Sequence, residues 1–76
     1  MNVLLQIEAI LFAADHPVNV QEIFNAFVTN RQEVLEADIL SNIKELKAKF
    51  NSDNYSFELR ETGGGYQFLT KANYHE

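Results

Sequence analysis

The opening segment of the chain limits the possible folds more than any other feature. Residues 3–14 contain only two polar side chains, Gln6 and Glu8, and every other position is apolar. On a helical wheel the apolar positions form one wide sector and a second flank that includes Leu5 and Phe12. A helix that is apolar on nearly every side is normally buried on more than one side. We therefore expect a helix whose second flank is covered either by the chain's own strand or hairpin, or by a partner molecule.

Length and composition indicate one small globular domain. The chain has 76 residues, of which 46% are hydrophobic and 22% charged, and it contains no cysteine. Residues 3–14 fall short of the roughly 20 apolar residues that cross a bilayer. They also lack the preceding positive charge of a signal peptide. We therefore predict no membrane contact, and the lack of cysteine favours the reducing cytoplasm.

Turn and capping residues divide the first two helices. Pro17 lacks a backbone donor and disfavours helical geometry in the residue before it, so the first helix should end near residue 15. Asn19 and Glu22 have the spacing of a capping box, which predicts that a second helix begins at Val20 and fades near residues 28–30. The predicted inward residues of this helix are Val20, Ile23, Phe24 and Phe27.

A third helix is indicated by an apolar repeat that starts at Ile39. Residues 31–37 are ambiguous, and one interpretation is a helical turn with Val34 and Leu35 packed inward. Asp38 then offers either a cap or a favourable first-turn charge. The predicted buried stripe of the third helix consists of Ile39, Ile43, Leu46 and Phe50.

Two strands follow the helices. Residues 55–62 alternate, with Phe57 and Leu59 on one face, and residues 66–71 resume the pattern after three glycines. The glycines permit the positive φ values of a tight reversal. Val18 is placed to add a vestigial strand. The predicted fold class is α+β: a winged helix of three helices followed by a two-stranded β-hairpin wing.

Residue patterns typical of catalysis or metal binding are lacking. His16 and His75, the two histidines, have no partner at metal-ligand spacing. The serines have no histidine placed to activate them. The glycine run joins two strands, whereas a phosphate-binding loop joins a strand to a helix. We predict no enzyme activity, no catalytic or metal site and no cofactor.

DNA binding by a winged-helix transcription regulator is the alternative function. A winged helix usually presents its third helix to the major groove. The net charge of −5 opposes binding to a polyanion. The candidate weak DNA patch of this alternative consists of Lys44, Lys47, Lys49, Arg60 and Lys71.

Four segments together resemble a known family. They are residues 7–14 (IEAILFAA), 17–23 (PVNVQEI), 57–61 (FELRE) and 64–71 (GGYQFLTK). This set resembles the N-terminal winged-helix domain of bacterial segregation and condensation protein B, from about residue 3 to the end of the chain. The last segment is the most specific. The stretch from residue 29 to 36 departs from the family by being longer.

The resemblance implies a non-catalytic accessory subunit for chromosome condensation and segregation. Such a subunit forms a homodimer and binds the kleisin subunit, which bridges a structural-maintenance-of-chromosomes ATPase. It implies a nucleoid-associated protein in the cytoplasm, and a chain that is the N-terminal half of a two-domain protein. An over-apolar first helix fits such a partner surface. Our candidate interface residues are Leu5, Phe12 and Tyr66.

Overall fold

The computed structural model describes residues 2–72, which form three helices followed by a two-stranded antiparallel sheet. The predicted winged-helix fold is confirmed. None of the helices in this range combines the length and apolarity that a bilayer crossing requires. The elements are α1 (Val3–Ala13), α2 (Val20–Thr29), α3 (Glu36–Phe50), β1 (Phe57–Thr62) and β2 (Gly65–Thr70).

Side-chain caps fix the starts of α1 and α2. The Asn2 side chain accepts a hydrogen bond from the backbone N–H of Leu5 at 3.2 Å, which satisfies one free donor of α1. At α2 the predicted capping box is confirmed: the Glu22 N–H donates to Asn19 Oδ1 at 2.8 Å, and the Asn19 N–H donates to Glu22 Oε1 at 3.3 Å. α2 begins at Val20, as predicted.

The core lies between the inward faces of the three helices and one face of the hairpin. The predicted stripe of α3 is confirmed, because Ile39, Ile43, Leu46 and Phe50 are all buried. Of the predicted inward residues of α2, Ile23 and Phe27 are buried, and Val20 and Phe24 are half-buried. The remaining buried residues are Ile7, Leu11, Val18 and Leu59.

The hairpin is tied to the helices through Val18. Its backbone N–H donates to the Tyr66 carbonyl at 2.9 Å, and the Tyr66 N–H donates to the Val18 carbonyl at 2.8 Å. The predicted vestigial strand is therefore confirmed as a single bridge. Among the glycines in residues 2–72, Gly65 alone has a positive φ, at 131°. A Cβ atom on Gly65 would overlap the Val18 carbonyl group, so this close approach requires glycine.

The connection between α2 and α3 differs from the helical interpretation. Residues 32–35 have no regular secondary structure, and α3 begins at Glu36. The inward placement of Leu35 is wrong, because its side chain is 68% exposed, whereas Val34 does pack against the core. Leu35 is the N-cap residue and has extended backbone angles, so the helical period that relates it to Ile39 does not apply. Asp38 lies in the first turn and does not act as the cap.

Candidate protein-interaction surface

The outward face of α1 carries an exposed apolar stripe. Leu5 is 53% exposed and Phe12 46% exposed, and Ala9 between them is exposed as well. Residues four and seven positions apart lie on one face of a helix. We call Leu5, Ala9 and Phe12 the α1 stripe. On the other face of α1, Ile7 and Leu11 are completely buried. The helix is therefore covered on one side and exposed on the opposite side.

The hairpin extends this stripe with aromatic rings. The Phe12 ring stacks on Phe68 with centroids 4.0 Å apart and planes 5° apart, and it meets Phe50 and Phe57 edge-on at 5.8 and 5.9 Å. Phe57 is itself 42% exposed. Offset and edge-to-face ring pairs stabilise such a cluster. The hairpin thus contacts Phe12, while Phe12 and Phe57 remain partly exposed beside each other.

Tyr66 occupies a different part of the same hairpin face. It lies two residues before Phe68 on β2, pairs with Glu61 across the sheet, and packs against the core beside Val18. Burial raises the pKa of its phenol, and the neighbouring Glu61 carboxylate adds to the increase. The structure therefore places Leu5 and Phe12 on one surface and holds Tyr66 closer to the core.

A cation borders the aromatic cluster. Lys49 Nζ lies 3.3 Å from Glu8 Oε1, which joins α3 to α1. The same ammonium group lies 5.1 Å from the Phe50 ring centroid and 5.8 Å from that of Tyr55, within the range of a cation–π contact. The charge beside the apolar surface is thus paired within the chain, which lowers the cost of covering this edge by another protein.

The five cations predicted for a DNA patch are spread over the surface. Lys44 is exposed on α3, and Lys47 lines a shallow groove together with Arg60 and the acidic Glu58 and Glu61. Carboxylates beside cations reduce the field that attracts phosphates. Three of the cations have partners within the chain: Lys49 with Glu8 at 3.3 Å, Arg60 with Glu58 at 3.3 Å, and Lys71 with the Ser52 carbonyl at 2.6 Å.

His16 is part of a small exposed ion-pair network. Its Nδ1 lies 2.9 Å from Asp15 Oδ1, and its Nε2 lies 3.6 Å from Glu22 Oε2. Hydrogen bonding to Asp15, and then to Glu22, raises the pKa of His16. Within the described range no three histidine, cysteine or acidic side chains converge as metal ligands. His75 lies outside that range.

Some exposed apolar residues were not predicted from the sequence. Strand alternation places Phe57 on the same face of β1 as Leu59, and the register agrees with this, but Phe57 is 42% exposed whereas Leu59 is buried. Val28 is 54% exposed near the end of α2 and, with Leu35, lines a second groove. No side-chain pattern marks the exposure of Leu35, because its N-cap position depends on where the α2–α3 connection ends.

The family model for the segregation and condensation complex subunit ScpB matches residues 5–76. A crystal structure of a dimer of the ScpB N-terminal domain complexed with a ScpA peptide is 27% identical, with a TM-score of 0.78 over 92% of this chain and 79% of that chain. A conserved hypothetical protein from Chlorobium tepidum shares the fold at 24% identity, with a TM-score of 0.71 over 95% of this chain and 43% of that one. No curated protein matches the chain.

Proposed function

The chain belongs to the ScpB family of segregation and condensation complex subunits, and from this premise we propose that it is a non-catalytic subunit that dimerises and binds a kleisin. Through the kleisin it joins a structural-maintenance-of-chromosomes ATPase, and it acts on the nucleoid in the cytoplasm. The similar ScpB N-terminal domain was crystallised as a dimer with a ScpA peptide, which supports both contacts. The second winged-helix domain expected from the family resemblance stays a prediction.

The observation that carries the dimer proposal is the α1 stripe with its aromatic extension. Leu5 and Phe12 together expose large apolar side chains along one helix face, and Phe57 continues the surface. A symmetric dimer requires one self-complementary patch that is used by both copies. A single helix face that crosses its own equivalent satisfies this condition. Tyr66, which is half-buried beside Val18, is the weakest of the three candidate interface residues.

Leu5→Glu provides the sharpest test of this dimer. Leu5 is the third residue of α1, and Asn2 already caps its N–H. A glutamate at this position completes the capping-box pattern and favours the positive end of the helix dipole. The substitution should therefore preserve the folded helix while it places a charge in the proposed contact. A loss of dimer in a variant that keeps the helical circular-dichroism spectrum of the wild type is then assigned to the contact.

Sedimentation equilibrium of the wild type, Leu5→Glu and Phe12→Glu measures the predicted effect. Leu40→Glu is the matched control, because Leu40 is 44% exposed and faces away from α1. Lys49 of α3 contacts Glu8 of α1, and Leu40 lies nine residues, or two and a half helical turns, before Lys49 and therefore on the opposite side of α3. We expect the wild type and Leu40→Glu to be dimers, and the two α1 variants to be monomers. A wild-type chain that stays monomeric at high micromolar concentration contradicts the proposal. Kleisin binding is tested separately below.

A further inference from the structure

A second apolar groove lies away from the α1 stripe, between the end of α2 and the start of α3. Its volume is about 700 Å³, and its apolar lining includes the exposed Val28 and Leu35 and the half-buried Phe24. Leu35 is the most exposed large apolar side chain among residues 2–72. Exposed apolar side chains grouped in one concave site are typical of a binding groove, whereas scattered ones are ordinary.

Two residues at this groove depart from the usual residue preferences at helix ends. Leu35 occupies the N-cap of α3 and provides no side-chain hydrogen bond to the free backbone donors, although its extended angles suit a capping side chain. Arg31 follows the C-cap of α2 with a φ of 58°, a left-handed conformation that glycine adopts at least cost. Both residues line the groove. Departures from local preference concentrate at functional sites, so two of them on one groove support a binding role.

The charges around the groove indicate the chemistry of the occupant. Glu33 and Asp38 line it, Glu36 follows in the first turn of α3, and Arg31 is the single cation. Within residues 2–72, Arg31 takes part in no ion pair. Three carboxylates against one guanidinium leave the rim acidic. A segment with apolar side chains flanked by lysine or arginine complements this groove in both shape and charge.

A second copy of the chain fits the groove poorly as an occupant. The basic part of the chain is α3, with Lys44, Lys47 and Lys49, and Lys49 is already paired with Glu8. A contact between this groove and α3 of another copy would join two different surfaces. Such head-to-tail contacts form rings or open chains of subunits and do not close as a twofold dimer. The groove is therefore suited to a different protein chain.

We propose that the groove formed by Phe24, Val28 and Leu35 binds a basic amphipathic segment of the kleisin, with its apolar side chains on Leu35 and Val28 and its cations on Glu33 and Asp38. This inference rests on the proposed function, which supplies the partner. A dimer built on the α1 stripe carries two such grooves, one on each copy. Kleisin binding and dimerisation then use separate surfaces of the same small domain.

Leu35→Asn separates binding from folding. Asparagine is a favourable N-cap residue, so the variant should be more stable than the wild type while it removes the apolar anchor. We expect titration of the purified kleisin subunit from the same organism to show binding weakened by about tenfold or more. Leu40→Asn, the same exchange at an exposed α3 position outside the groove, should bind as the wild type does.

Two charge variants test the sign of the electrostatic contribution. Asp38→Lys should weaken binding by a few-fold, and Arg31→Gly should strengthen it by a similar factor, because it removes the cation that repels a basic segment. Both effects should shrink as salt concentration rises. Stronger binding by Asp38→Lys together with weaker binding by Arg31→Gly would indicate an acidic segment and overturn the proposal.

The remaining outcomes distinguish this inference from the proposed function. If Leu35→Asn binds the kleisin as tightly as the wild type, the groove assignment is wrong and the proposed function stands. If Leu35→Asn becomes monomeric in sedimentation, a second copy occupies the groove and the assignment is also wrong. A wild-type chain that does not bind the kleisin at all overturns both.

Discussion

Gly65→Ala should be among the most destabilising single changes in this chain. Gly65 combines a φ of 131° with a position where an added Cβ would overlap the Val18 carbonyl group and approach Asn19 N at 2.6 Å. The strained backbone costs about 1–3 kcal/mol. The overlap also breaks the two hydrogen bonds between Val18 and Tyr66, at about 1 kcal/mol each. The free energy of unfolding should therefore fall by about 3–5 kcal/mol, against a total of about 4–11 kcal/mol for a domain of this size.

Gly63→Ala is the matched control for this prediction. Gly63 lies in the same turn, no atom lies within 4 Å of an added Cβ, and its φ is not positive. Its unfolding free energy should stay within about 0.5 kcal/mol of the wild type. Urea unfolding followed by circular dichroism measures both variants. Equal stability of Gly65→Ala and Gly63→Ala would refute the argument that the Val18 bridge depends on this glycine.

Three further changes concern helix ends and pH, and urea unfolding measures each of them. Arg31→Gly should raise the unfolding free energy by about 1 kcal/mol, because glycine relieves the left-handed backbone; a decrease would contradict this reasoning. Asn19→Ala should lower it by about 1 kcal/mol through loss of the capping box, and an unchanged value would show that the cap contributes nothing. The pKa of His16 is raised on folding, so the protonated ring stabilises the fold. This stabilisation is fully present below the ordinary pKa of 6.5 and is lost as pH rises through the pKa of the folded state. His16→Gln should remove this dependence between about pH 5 and pH 8.

Periodicity and capping predicted the parts of the fold that local rules control. Asn19 and Glu22 fixed the start of α2, and the four-residue stripe from Ile39 fixed the buried face of α3. The α2–α3 connection could not be predicted in the same way. α2 ends with backbone bonds from Arg31 to Val28 and from Gln32 to Phe27, a motif that usually signals itself by glycine.

The candidate site was likewise predicted in part by local sequence patterns and in part not. A helical wheel is enough to place Leu5 and Phe12 outside the buried sector of α1. The stacking of Phe12 on Phe68 depends on how the hairpin docks on α1, because the two residues are distant in sequence and meet only in the folded chain. Leu35 escaped prediction since its exposure follows from a backbone turn that no side-chain pattern reports.

The length of the α1 stripe argues for a second helix as its cover in the proposed dimer. Leu5 and Phe12 are seven residues apart, or about 10 Å along the helix axis; the hairpin rings of Phe57 and Phe68 contact Phe12, and Leu5 is 53% exposed. A cover that reaches Leu5 as well must run along α1. An antiparallel α1 from a second copy meets this requirement twice, because Leu5 of each copy then faces Phe12 of the other across a twofold axis. In such a contact Leu5→Glu alone places a charge against both ends of the stripe, which is why one exposed substitution should be enough to separate the dimer.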